Sequence, residues 1–368
     1  MNGDILKKYA HLLVHYCLDI KPNDRVYLQS STLAIPLIKE VHKAILVAGA
    51  SLDTQLEFED QSFDFWENAS DFAIDHISPL QKEAFDHYEA YLLIKAPFLE
   101  SGNPSAHTAK SDRRAIATAP LQKKYFERIG TPTRDLKRNF CLYPTQASAN
   151  LAKMDLDTYT NFVANACFLN TPDPVANWLN IRYMQQNIVD KLNLASRFRF
   201  LSSNTDIRFN CQGRPWINSD GLNNMPSGEV FTSPIEDSVE GYITFTFPGY
   251  YMRREVQNVR LEVKNGLIES WSADLGQDFL DYIFSLDGTR RFGEAAIGTN
   301  TNIQQMTGNI LFDEKIGGTI HMAIGQSYAQ CGGKNVSSVH WDMITDMTKD
   351  GQIFADDQLI YEHGKFLI

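Results

Sequence analysis

Cysteine is scarce in this chain, and its pattern is informative. The five residues Cys17, Cys141, Cys167, Cys211 and Cys331 are odd in number, scattered, and free of Cys-x-x-Cys spacing. That excludes a disulfide framework and fits reduced core thiols in a cytoplasmic protein. The sequons at Asn68 and Asn335 then carry no meaning, since glycosylation needs secretion. No stretch approaches about eighteen consecutive apolar residues, so no membrane span is expected. The start, Met1-Asn2-Gly3-Asp4, lacks the basic segment and apolar run of a signal peptide. Cationic runs with interleaved aromatics are missing too, and the net charge is −11. A nucleic-acid surface is excluded on both grounds. The first strand pattern is not followed by GxGxxG or GxxxxGK[ST], so a nucleotide phosphate has no cradle. There is no GxSxG elbow and no HExxH helix, no internal repeat and no low-complexity linker.

What is present is an ordinary globular composition, 43% hydrophobic and 21% charged over 368 residues, long enough for two domains. In the first half, helical and strand patterns alternate. Apolar residues at helical spacing mark residues 5–17, and Lys21-Pro22-Asn23-Asp24 ends them. Strands are expected over 25–29, 51–58, 91–94 and 139–143, with helices over 35–48, 80–87 and 115–128 between them. This alternation implies crossover units and a mostly parallel sheet with helices on its faces. A helical block follows over 145–152, 156–168 and 175–192.

From about Arg197 the texture changes to short alternating strands. Ile207, Phe209 and Cys211 alternate with polar residues, as do Ile243, Phe245 and Phe247. Val259, Leu261 and Val263 run into Asn265-Gly266, a strong hairpin signal. The expected fold is an N-terminal α/β domain over residues 1–195, with a mostly parallel sheet flanked by helices. A mainly antiparallel α+β domain over 196–368 is expected to carry the functional site.

That site is expected between Gly293 and Asp342. In Ile320–Gly325 the apolar Ile320, Met322 and Ile324 alternate with His321, Ala323 and Gly325, which turns His321 away from the apolar face. His340 and Asp342 lie two apart and share a strand face, while Val339, Trp341 and Met343 take the other. Imidazole with carboxylates suits zinc, cobalt or manganese, so the stretch reads as a hydrolytic metal site. Each residue also has a plainer reading. His321 and His340-x-Asp342 could be surface strand residues, Glu229 an exposed turn carboxylate, Glu294 a cap and Tyr328 a buried tyrosine with a satisfied hydroxyl. In Asp313-Glu314-Lys315, an acidic residue could orient a histidine ligand, whereas Lys315 reads as a solvated turn charge.

Asn224-Met225-Pro226-Ser227-Gly228-Glu229-Val230-Phe231-Thr232-Ser233-Pro234 resembles the NMPxGEVFTxP motif of the metalloaminopeptidase family that contains aminopeptidases T and S. The resemblance continues through Gly293-Glu294-Ala295, Leu311-Phe312-Asp313-Glu314-Lys315, His321-Met322-Ala323-Ile324-Gly325, Tyr328 and His340-Trp341-Asp342. It reaches into the first half at Lys8-Tyr9-Ala10, Tyr143-Pro144-Thr145 and Asp173-Pro174. It implies an aminopeptidase that releases N-terminal residues from short peptides, as a homodimer, with two divalent metal ions per chain. The ligands it implies are Glu229, Glu294, His321, His340 and Asp342. Tyr328 stands beside them as oxyanion donor, and Glu229 doubles as a catalytic carboxylate. Five ligands suffice for two metals if a carboxylate bridges, with Glu229 and Asp342 the candidates. The alternatives are a metal-dependent hydrolase of another small amide, and a catalytically silent binding protein on the same fold. No membrane or nucleic-acid partner is expected.

Overall fold

The computed structural model describes residues 1–99, 108–129 and 133–368. The chain divides into two compact units. One is Met1–Val175 with Gly221–Met225, the other Ala176–Asp220 with Pro226–Ile368.

The first unit is built on a parallel sheet in the order Ser51–Glu57, Arg25–Ser31, Ala90–Lys95, Lys137–Leu142 and Asn224–Met225. Its inner strands are buried at Val26, Leu28, Ala90, Leu92 and Ile94, as strands covered on both faces must be. Helices Gly3–His11, Ile35–Val47 and Pro79–His87 fall where the sequence periodicity places them, and Thr108–Ile129 contains the expected 115–128 helix but starts seven residues before it. Asn2 caps the first of these, its side chain accepting from the Ile5 amide at 2.9 Å. The fifth strand comes from the Asn-Met pair of the motif above, far along the chain from the other four.

The second unit begins at Ala176, within the first turn of the helix Pro174–Leu192. The change of texture puts a boundary near residue 195, but Ile188, Val189 and Leu192 join the hydrophobic core of the second unit. An eight-stranded sheet runs in the order Leu267–Ser272, Val259–Lys264, Glu240–Phe245, Thr205–Asn210, Arg197–Ser202, Gln352–Ala355, Gln358–Glu362 and Lys365–Phe366. All its pairs are antiparallel. The Asn265-Gly266 turn has positive φ at both residues, 50° and 69°, as a tight two-residue hairpin requires. A Cβ on Gly266 would also lie 1.8 Å from the Glu236 carbonyl oxygen, so only glycine fits.

The second sheet of this unit carries the site. Its antiparallel order is His340–Asp346, Thr319–Gly325, Phe292–Gly298, Glu229–Thr232 and Ile217–Ser219. One face contributes Val230, Ala295, Ile297, Ile320, Met322, Ile324, Trp341 and Met343 to the core. The pleat sends the alternate residues, Glu229, His321, His340 and Asp342, to the other face. Glu294 reaches that face beside a register shift between Phe292 and Glu294.

Candidate metal centre

The strand register brings the predicted residues together. Ala323 pairs with Glu294 on one side and with Asp342 on the other, His321 pairs with Ala296, Gly325 with His340, and Gly298 with Glu229. Every ligand-type side chain thus has alanine or glycine as a cross-strand neighbour, which leaves room above the sheet. Phe231, Ala296 and Cys331 form a small apolar cluster on this part of the fold. Gly293 has a different task. A Cβ there would lie 2.3 Å from the Gln326 carbonyl oxygen, and that oxygen accepts from His340 Nδ1 at 2.7 Å. Because a carbonyl only accepts, Nδ1 keeps its proton, and Nε2 is the nitrogen that can present a lone pair to a cation once its own proton is lost.

Two groups of three side chains converge. Glu229, Glu314 and His321 make one; Glu294, His340 and Asp342 make the other. His340 Nε2 lies 3.1 Å from Glu294 Oε2 and 3.5 Å from Asp342 Oδ1. His321 Nε2 lies 3.5 Å from Glu229 Oε2 and 3.7 Å from Glu294 Oε1. Glu294 therefore faces one imidazole with each oxygen. Tyr328 stands at the rim, 37% exposed, with its hydroxyl 3.3 Å from His340 Nε2 and its ring edge-on to Phe231 at 5.3 Å.

All six residues expected at the site, Glu229, Glu294, His321, Tyr328, His340 and Asp342, meet here. Two neighbours do not behave as the sequence suggests. Lys315 is no solvated turn charge: its side chain has no exposed surface, and its Nζ lies 3.3 Å from Glu229 Oε1 and also contacts Glu314 Oε1. Glu314 joins the first ligand group. The four-residue helix Ile310–Asp313, capped by Asn309, buries Leu311 and Phe312 and rolls the following charges inward. A helix that short has no periodicity to read. Asp313 turns away, buried and accepting from the amide and hydroxyl of Thr307 at 2.7 and 2.8 Å.

The crowding of carboxylates sets the protonation states. Burial works against a charge on His321, but Glu294, Glu229 and Asp342 outweigh it and lift its pKa to about 9. Burial likewise opposes a charge on His340, and Asp342 and Glu294 raise it well above the ordinary histidine value. For Asp342 burial acts upward, yet His340, His321 and Lys315 hold it below the usual carboxylate range. Burial pushes Glu314 up to about 8, Lys315 pulling the other way and Glu229 and Asp342 adding to the rise. Desolvation and then the neighbouring carboxylates raise the Tyr328 phenol well above its ordinary value, so it stays a donor.

The donor set fits divalent cations. Glu229 Oε2, both His321 nitrogens and Asp342 Oδ1 are buried without a hydrogen-bond partner, an arrangement that costs stability and that a cation would relieve at the two carboxylate oxygens and at one nitrogen of the deprotonated ring. Imidazole with carboxylate is a ligand mixture that divalent metal ions accept.

A family model described as thermophilic metalloprotease (M29) matches residues 3–366. The chain belongs to that family. Among its relatives is aminopeptidase PepS of Streptococcus thermophilus, 26% identical over 99% of this chain and 98% of that protein. Aminopeptidase 2 of Geobacillus stearothermophilus is 24% identical over 88% of this chain and 84% of its own. The solved structure of wild-type AmpT from Thermus thermophilus superposes with a TM-score of 0.84 at 20% identity, covering 99% of both chains. At that identity the likeness establishes the fold: a parallel sheet flanked by helices in the N-terminal part and antiparallel sheets in the C-terminal part.

Proposed function

We propose that this M29 enzyme is a dinuclear-metal aminopeptidase that releases N-terminal amino acids from short peptides. The observation that carries the reading is the meeting of two three-residue ligand groups over one sheet face, with Glu294 turned toward both histidines. Glu314 comes from the turn after the Ile310–Asp313 helix and the rest from the strands. The names of the relatives support the substrate class.

Glu229, Glu314 and His321 would hold one cation and Glu294, His340 and Asp342 the other. Glu294, whose two oxygens face different imidazoles, would be the carboxylate shared by both ions, in place of Glu229 or Asp342. Two cations there would activate a water, polarise the scissile carbonyl and receive the free amino terminus of the peptide. The protein supplies the rest. The Gln326 carbonyl fixes the ring of His340. Tyr328, kept protonated, donates to the oxygen on which negative charge develops. The apolar contact of Phe231 with the Tyr328 ring holds that donor in place. Metal-binding and catalytic roles fall within the second unit. The enzyme is proposed to work in the cytoplasm, consistent with five free and buried cysteines, and as a homodimer, which sedimentation equilibrium would test against the 41.7 kDa chain.

The direct test is an aminopeptidase assay on chelated protein, with zinc, cobalt, manganese or magnesium restored singly. Aminoacyl chromogenic amides should be cleaved once metal returns, and their N-acetylated forms should not. Metal bound without cleavage would move the substrate to another small amide. No metal bound at all would sink the reading.

Metal loading should also release protons. The raised His321 pKa means that charge on this ring stabilises the metal-free protein fully below its ordinary 6.5, a contribution lost as pH rises through about 9. A cation needs the neutral ring, so it competes with a proton across that window and binds more tightly as pH rises. Calorimetry at pH 7 in buffers of different ionisation enthalpy should show about three protons released per chain, one for each imidazole and most of one from Glu314, whose carboxyl burial pushes up to about 8. Affinity independent of pH between 6.5 and 9 would contradict the protonation states described.

A further inference from the structure

Lys315 is the unusual member of the cluster. A lysine without exposed surface needs partners, and here both are carboxylates of the same candidate ligand group, Glu229 and Glu314. The contacts are divided by atom. Nζ faces Oε1 of Glu229, whereas Oε2 of the same carboxylate is buried, without a hydrogen-bond partner, and 3.5 Å from His321 Nε2. The ammonium also takes Oε1 of Glu314. The other group, Glu294, His340 and Asp342, has no lysine or arginine paired to it among the described residues.

We infer that Lys315 is a positioning residue that stands in for a cation: it holds Glu229 and Glu314 in their ligand geometry when no metal is bound, and leaves each with its second oxygen to offer. The inference rests on the proposed metal reading. Two carboxyl groups buried side by side resist ionising together, and removing the shared cation takes away the compensation that lets them do so. A divalent ion held by the same carboxylates supplies that compensation. Lys315 should therefore matter most for the metal-free protein and far less for the loaded one. It also takes one oxygen from each carboxylate, which favours single-oxygen ligation by Glu229 and Glu314 and leaves positions open for water and substrate.

The experiment is thermal unfolding of wild type and Lys315→Met, each chelated and each loaded with manganese, with metal content measured on the same samples. Methionine keeps the length and apolar stem of lysine without the charge. Chelated Lys315→Met should melt on the order of 5–10 °C below chelated wild type, and manganese should close most of that gap. Equal losses with and without bound manganese would overturn the inference while the metal reading stands, since that is what a plain packing role predicts. Samples that bind no manganese would overturn both. Should Lys315→Met fail to fold even with metal, wild type alone decides. Its chelated form should stay folded with its melting point lowered only modestly, and a chelated wild type that has already lost structure in the second unit would refute the stand-in role.

Discussion

Glu294→Gln should lower kcat/KM by at least about a thousandfold and cut metal content below two ions per chain. The substitution keeps shape and volume but leaves one oxygen and one amide nitrogen where there were two oxygens. Glu294 Oε1 faces His321 and Oε2 faces His340, at 3.7 and 3.1 Å, so whichever way the amide turns, one imidazole loses its carboxylate neighbour. An amide nitrogen is a donor and no ligand. The proposed bridge is therefore broken in either orientation, whereas loss of an outer partner costs only about 10–100-fold. The measurement is metal content beside steady-state kinetics on an aminoacyl amide, with circular dichroism to establish folding. Full turnover with two metals bound would show that Glu294 does not bridge.

Tyr328→Phe should lower kcat by about 10²–10³-fold with little change in KM, the pattern of a donor used only in the transition state. The phenyl ring is retained, and with it the edge-on contact to Phe231 and the packing on His340, whose ring centroid lies 4.9 Å away. Only the hydroxyl is lost, which separates donation from packing. A rise in KM with kcat unchanged would assign Tyr328 to substrate binding. No effect on either would make it a rim tyrosine with no chemical part.

These residues were legible in the sequence to different degrees. The alternation Ile320-His321-Met322-Ala323-Ile324 announces a strand with one functional face, and His340-Trp341-Asp342 repeats it. Both strands sort their residues in the structure as that pattern requires. Glu229 and Glu294 carry no such local sign. Each is a single acid after glycine, and the family motif is what singles them out. Lys315 was misjudged because a run of three charged residues looks like solvated surface, and Glu314 was legible only as one of two acids that could orient a histidine ligand. The short helix before them buries Phe312 completely and carries the charges inside.

Four strands and most helices of the first unit followed from periodicity, but the short helices Gln61–Asn68 and Asp71–Asp75 and the fifth strand did not. Asn224–Met225 joins Lys137–Leu142 across more than eighty intervening residues, and two residues have no period. The helix Pro174–Leu192 was legible as a helix. Its membership of the second unit depends on Ile188, Val189 and Leu192 finding that core.

The sequence by itself determined the two-part α/β and antiparallel architecture, the strand faces and, through motif resemblance, the candidate ligands, because local period and residue type are properties of short segments. Tertiary structure alone decided that Glu229 lies opposite Gly298, that Glu294 looks toward two histidines, and that Lys315 is buried between two carboxylates. Strand pairing joins segments far apart in the chain, and a buried charge is tolerable only where several such segments bring its partners at once.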